Sequence, residues 1–245
     1  MNITIEFSDQ SPSRHGLKGV NEQLLMIGVC VGSLPISASV FPILEAAQTR
    51  ATNPAEQQQL IETFTLSRAQ WLESIRLAGR DPVEANGGSM STAEVGVPPY
   101  PKVYDMQAMN EAAHNAAEQK FGRLHVNKSE HGGVDEYMAL VSGGPWTWFF
   151  AFSNHNVAKL SLSAIPAPKA SKSEIEGWSI SYPGLGPHGA FMDPERGLCI
   201  ASICGPATWN MCYEAPGLAL NPVLGTNPWV DFRSDKPRLM SSNAL

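Results

Sequence analysis

Residues 24–32 constrain this chain more than any other stretch. Leu24-Leu25-Met26-Ile27 is an apolar run that suits a buried strand, and it ends in Gly28-Val29-Cys30-Val31-Gly32. Two glycines bracket one cysteine. The segment 34–47 follows with helical character, and Pro35 fits a first turn, where its missing N–H has no partner to lose. A strand, a tight G-x-C-x-G turn and a helix describe a nucleophile elbow. Gly28 and Gly32 leave room in a strained turn, and a helix N-terminus favours the thiolate of Cys30. The alternative is a buried cysteine in an ordinary β–α turn.

The chain of 245 residues is long enough for one domain with a large core, alone or carrying an inserted subdomain. Its formal charge of -6 and the lack of a Lys/Arg stripe argue against nucleic acid as a partner. No apolar stretch reaches the roughly 18 residues of a membrane span. Glu6 and Asp9 stand where a basic-then-apolar leader would be. Cys30, Cys199, Cys204 and Cys212 form no C-x-x-C pair, so they read as reduced thiols in a cytoplasmic protein. A zinc site built from Cys199, Cys204, Cys212 and a histidine has poor ligand spacing, and no metal or redox cofactor is expected.

Residues 3–7 alternate and are β-branched, the pattern of a strand. Asn53-Pro54 opens a helix over 55–78 that ends near Gly79. The Gly/Pro-rich stretch 81–103 reads as loop with a short strand at 91–95. A helix is expected at 105–120, and strands at 123–127, 136–141, 178–182 and 198–203. The apolar stretch 146–162 fits strand or helix. Alternation of strands and helices predicts an α/β fold with a mainly parallel sheet. The different rhythm of 105–162 predicts a small α+β subdomain, residues 101–165, inserted into a core of 1–100 and 166–245.

A nucleophilic cysteine needs a base within hydrogen-bond reach and donors for the oxyanion. His114 lies in a polar helix, His125 in a strand, and His15 and His155 in polar loops. His131 and His188 each sit beside glycine, in Glu130-His131-Gly132-Gly133 and Pro187-His188-Gly189. Either suits a base, or a turn histidine with no role.

Five segments in order resemble the acyl-CoA:acyl-carrier-protein transacylase family, which includes the acyltransferase domains of polyketide synthases. They are Phe7-Ser8-Asp9-Gln10-Ser11, Gly28 to Gly32, the stretch Gly87 to Gly96, Leu140-Val141-Ser142-Gly143, and His188-Gly189-Ala190-Phe191-Met192-Asp193-Pro194. The cysteine in Gly28-Val29-Cys30-Val31-Gly32-Ser33-Leu34-Pro35 is most similar to starter-unit acyltransferase domains of fungal non-reducing polyketide synthases. The resemblance implies an α/β-hydrolase-like core with a ferredoxin-like insertion. It implies a Cys30 thioester, His188 as base, and backbone N–H groups of Gln10 and Val31 as the oxyanion hole. The substrates would be acyl-CoA and the phosphopantetheine thiol of an acyl carrier protein. Ala78, in Arg76-Leu77-Ala78-Gly79-Arg80, stands where malonyl-selective members carry arginine, which implies a neutral acyl group. Ala78, Arg80, Ser142 and His131 are the pocket candidates. Only about 20 residues separate Gln10 from Cys30, by counting along the sequence, so the helical flap is shortened, and the bared surface suits a homodimer. An acyl-thioester hydrolase and a non-catalytic carrier-binding module are the competing functions.

Overall fold

Strand pairing overturns the expectation of a parallel α/β core. The computed structural model describes residues 1–80, 82–84, 101–121, 124–129, 132–133, 135–152, 156–169, 173–184, 186, 188–191, 197–203, 209–211, 230–231 and 238–240. Among them every paired strand is antiparallel. The chain opens with β1 (Ile3–Phe7), β2 (Arg14–His15) and α1 (Gly16–Leu24). It continues through β3 (Cys30–Ser37), α2 (Phe41–Ala46), α3 (Pro54–Phe64), α4 (Arg68–Leu77) and β4 (Pro82–Glu84). Next come β5 (Lys102–Asp105), α5 (Glu111–Phe121), β6 (Lys128–Ser129), β7 (Gly132–Gly133), β8 (Glu136–Ser142), β9 (Trp146–Phe152) and β10 (Asn156–Leu162). The last elements are β11 (Glu174–Tyr182), β12 (His188–Phe191), β13 (Leu198–Ile203), β14 (Trp209–Met211), β15 (Val230–Asp231) and β16 (Arg238–Leu239).

Two five-stranded sheets dominate, in the orders β12-β9-β10-β1-β2 and β3-β11-β8-β13-β5. Their inner faces share one core. Phe150 of β9 meets Tyr182 of β11 with ring centroids 5.9 Å apart, and the Trp178 indole N–H of β11 donates to the Ser163 carbonyl just after β10 at 3.0 Å. This is a two-sheet sandwich. The outer face of the second sheet is covered by α3 and α4. The ring of Trp71 on α4 stands edge-on to Tyr137 of β8, with centroids 6.0 Å apart. Strands from 101–165 are central to both sheets: β8 pairs with β11 and β13, and β10 pairs with β1. Strands of that segment thus run through both sheets.

Several local expectations change for physical reasons. Residues 24–27 end α1 and form a 3-10 turn, with Leu24 and Ile27 buried and Met26 at 67% exposure. Inward positions three apart are a helical spacing. Residues 34–37 extend β3, and helix begins only at Phe41. Pro35 is tolerated because β3 is an edge strand, where a missing N–H breaks no ladder. The expected helix over 55–78 divides into α3 and α4. Asn53 with Glu56 and Ser67 with Gln70 each form a capping box, and Ser67 takes an extended backbone that interrupts the helix. The helix expected at 105–120 begins at Glu111, because Asp105 closes β5. The apolar stretch 146–162 is the β9–β10 hairpin. Residues 91–95 lie outside the described residues. No helix among the described residues is long and apolar enough to cross a membrane.

Gly177 marks a close inter-strand approach. A Cβ there would stand 2.3 Å from the Leu140 carbonyl oxygen and 2.8 Å from Ile36 Cδ1. The backbone oxygen cannot retreat without opening the β8–β11 ladder. Gly177→Ala is expected to lower stability by about 2 kcal/mol, read as a shift of the urea midpoint.

Candidate functional site

A group of polar side chains is buried between the sheets at one end of the sandwich. Glu136 opens β8, Tyr182 closes β11, and the two are direct cross-strand partners. The Tyr182 hydroxyl donates to Glu136 Oε2, and the Asn127 amide donates to Glu136 Oε1. His188 opens β12 opposite Phe150, which turns its ring toward the same interior. His188 and His125 are bridged by two backbone hydrogen bonds of 2.9 Å each, and their rings lie 4.6 Å apart. The Tyr182 ring is also 4.6 Å from that of His188. The Gly186 carbonyl can only accept, so it fixes the proton of His188 on Nδ1, at 2.7 Å. Nε2 is then an acceptor, 3.2 Å from Asn127 Nδ2. One amide thus serves both the carboxyl and the imidazole.

Burial sets the charges of this group. It pushes the Glu136 carboxyl up to about 7, helped by the neighbouring charge of Asp135 and opposed by the bonds from Tyr182 and Asn127. Burial holds His188 down to about 3, with His125 adding to the effect and the Gly186 carbonyl opposing it. His188 is therefore a neutral imidazole at neutral pH. Burial, then the charge of Glu136, drives the Tyr182 phenol well above its ordinary range. Cys199 is a buried inner-face thiol 3.8 Å from Met138 Sδ, and burial raises its pKa strongly.

Cys30 lies on the other side of the sheet. It pairs with Ser181, the residue before Tyr182, and side chains of successive strand residues point to opposite faces. It lines an outer cavity of about 230 Å³ with Gly32, Tyr137, Ser179, Ser181 and the α4 residues Gln70, Ser74 and Leu77. The thiol is half-buried; burial raises its pKa, and the positive charge of Arg80 partly offsets this. No elbow forms: Gly28 is the left-handed cap of the 3-10 turn, and strand runs through Gly32, whose Cβ would stand 2.7 Å from Ser179 Oγ. The Val31 N–H donates to Asn21 Oδ1 at 2.9 Å, and the Gln10 N–H donates to the Phe7 carbonyl at 3.1 Å. The two expected oxyanion donors are thus committed within the fold.

The remaining pocket candidates separate. Ala78 is the buried C-cap of α4, and Ser142 is buried at the end of β8. Arg80 is buried in an ion pair with Asp135. His131, Cys204 and Cys212 lie outside the described residues. Of the expected site residues that are described, only His188 belongs to the interior cluster. Glu136 was legible as one carboxylate opening an otherwise apolar strand, Glu136-Tyr137-Met138-Ala139-Leu140-Val141. Asn127 and Tyr182 carried no comparable signal. Among the described residues, no three His, Cys, Asp or Glu side chains are grouped so as to hold a metal ion by themselves.

The chain matches no protein-family profile and no curated protein. Among solved structures it is similar to an acireductone dioxygenase from Bacillus anthracis, described with a cadmium ion in its active center. The TM-score is 0.45 at 12% identity, over 86% of this chain and 97% of that chain. A likeness that loose assigns neither family nor activity.

Glu136 and His188 push the pH–stability curve in opposite directions, and the raised pKa of buried Asp135 acts in the same sense as Glu136. The folded-state pKa of Glu136 lies above its unfolded value of about 4.5, so the folded chain binds more protons and stability falls as pH rises from there to about 7. The folded-state pKa of His188 lies below its unfolded value of 6.5, so stability falls as pH drops from there toward 3. The two effects oppose each other where they overlap. Glu136→Gln is expected to remove Glu136's share of the fall in stability between pH 4.5 and about 7, a loss of pH dependence on the order of 3 kcal/mol, measured by urea denaturation at several pH values.

Proposed function

We propose that the protein is an enzyme whose active centre is the interior cluster, and that Glu136 transfers protons to and from a small carbonyl substrate. The observation that carries this reading is the bonding of Glu136. One buried carboxyl is held by the Tyr182 hydroxyl and the Asn127 amide, and a neutral His188 shares the same amide. A carboxyl poised near 7 populates both protonation states at neutral pH, as a general acid–base group requires. The Tyr182 O–H and Asn127 N–H hold the two carboxyl oxygens and fix the direction in which the carboxyl takes or gives a proton.

Acyl transfer through Cys30 with His188 as base is not the reading the geometry favours. The strand alternation that turns Tyr182 toward His188 turns Cys30 away from it.

One observation favours a second reading, a divalent-metal centre. The bond from His188 Nδ1 to the Gly186 carbonyl presents Nε2, the arrangement that orients a metal-ligating imidazole. Nε2 and Glu136 Oε1 both meet the Asn127 side chain, and His125 lies alongside. His188 Nε2 and Glu136 Oε1, joined here through the Asn127 amide N–H, would supply N and O donors to a borderline divalent ion that displaced that amide. A bound ion would supply Lewis-acid polarisation of a substrate oxygen. The protein residues would still orient the substrate and exclude water.

Incubation with a library of small carbonyl compounds in D2O tests the first reading. Native protein is expected to drive deuterium into a subset of them at carbon, and Glu136→Gln to slow that exchange by about 10²–10⁴-fold. No exchange above background with any compound would overturn it. Equilibrium dialysis against Zn²⁺ or Mn²⁺ tests the second. One equivalent bound by native protein and lost in His188→Gln supports a metal centre, and no binding removes it.

A further inference from the structure

The interior cluster is held from the opposite side of the sheet by a buried cation. Arg80 follows α4, and its position is set locally. Gly79 takes a left-handed φ of 72°, and the Arg80 N–H returns to the Ile75 carbonyl at 3.1 Å. This is a Schellman closure, which turns the chain back toward the sheet. The guanidinium then bonds two partners with its two terminal nitrogens: Asp135 Oδ2 through Nη1, and Ser181 Oγ through Nη2 at 2.7 Å. Each partner immediately precedes a cluster residue, Glu136 and Tyr182.

We propose that the Arg80–Asp135 pair is the positioning element for His188, acting through the turn at Gly184 and Gly186. The other oxygen of Asp135 accepts the Gly184 N–H at 3.2 Å. The Gly184 carbonyl in turn accepts the Asn127 N–H at 2.7 Å. The turn is closed by the Gly186 N–H on the Pro183 carbonyl at 3.1 Å, and the Gly186 carbonyl fixes the His188 proton on Nδ1. Arg80 orients the carboxylate, the carboxylate holds Gly184, and the turn aims both the Asn127 backbone and the acceptor for His188. A buried ion pair adds little net stability over an apolar pair of equal volume. An apolar pair, however, would provide no acceptor for Gly184. The inference rests on the cluster being the active centre, but its test uses no activity.

The test reads the histidine ring nitrogens of the full-length, ¹⁵N-labelled protein by long-range ¹H–¹⁵N correlation, with the His188 signals identified by their loss in His188→Gln. Native protein is expected to show one neutral tautomer at His188, with the proton on Nδ1. Asp135→Asn keeps the shape but leaves one oxygen. Arg80 claims that oxygen, the NH2 faces the Gly184 N–H, and the link is cut. A folded Asp135→Asn chain is expected to populate both tautomers at His188. A single native tautomer in that chain overturns the proposal. If Asp135→Asn does not fold, Arg80→Lys decides. A point-charge ammonium cannot bond Asp135 and Ser181 with the same fork. A second tautomer then supports the proposal, and an unchanged ring overturns it. Loss of deuterium exchange in Glu136→Gln is a separate result, so failure of the enzymatic reading and failure of the positioning reading are distinguishable.

Discussion

The register between β8 and β11 is the constraint on which the rest depends. It sets Tyr182 opposite Glu136 and Ser181 opposite Tyr137. Because strand side chains alternate, one pair enters the sandwich and the next faces the helices. The inward pair forms the acidic half of the cluster. The outward pair lines the Cys30 cavity, with Arg80 bonded to Ser181 beneath it. A slip of one residue would exchange the two sets and bury the wrong one. Gly177 secures this register, since only glycine lets the β11 backbone lie so close to Leu140.

Placing a carboxyl and two imidazoles near an aromatic interior is costly unless each polar atom is paired. For Glu136 and His188 the cluster meets that requirement with few groups. Asn127 serves Glu136 and His188, Tyr182 serves Glu136, and the Gly186 carbonyl serves His188. The shifts that result are those of desolvation: a carboxyl driven toward neutrality and an imidazole kept neutral. The opposite faces of one sheet therefore hold chemically different sites. The outer one has a half-buried thiol facing hydroxyls, and the inner one has a buried acid–base group.

Part of this was legible along the chain. The strand at Ile3–Phe7 has the expected bounds, as does Leu198–Ile203, and the β8 strand was read to within a residue. Short alternating or β-branched runs carry their own signal. The segment after Cys30 is strand through Ser37 and α-helix only from Phe41, a difference from expectation that arises because helical composition and an edge strand bearing proline look alike when the pairing partner is unknown. The site followed the same division. His188 stood out by its flanking glycines, but its expected partner was Cys30. Its observed neighbours come from residues 125, 127, 136 and 182, and no local pattern links them.

What the sequence by itself determined are the features that residues settle with near neighbours. These include the helix start at Asn53-Pro54, the end of α4 at Gly79, the alternation of β1, and the overall charge. Only tertiary structure decided that the sheets are antiparallel, that residues 101–165 are woven through both, and that Cys30 and His188 face different sides. The reason is physical. Caps and alternation arise from interactions within a few residues, whereas strand order and register depend on which distant strands pair. In this chain that pairing brings Glu136, forty-six positions before Tyr182 along the sequence, into hydrogen-bond contact with it.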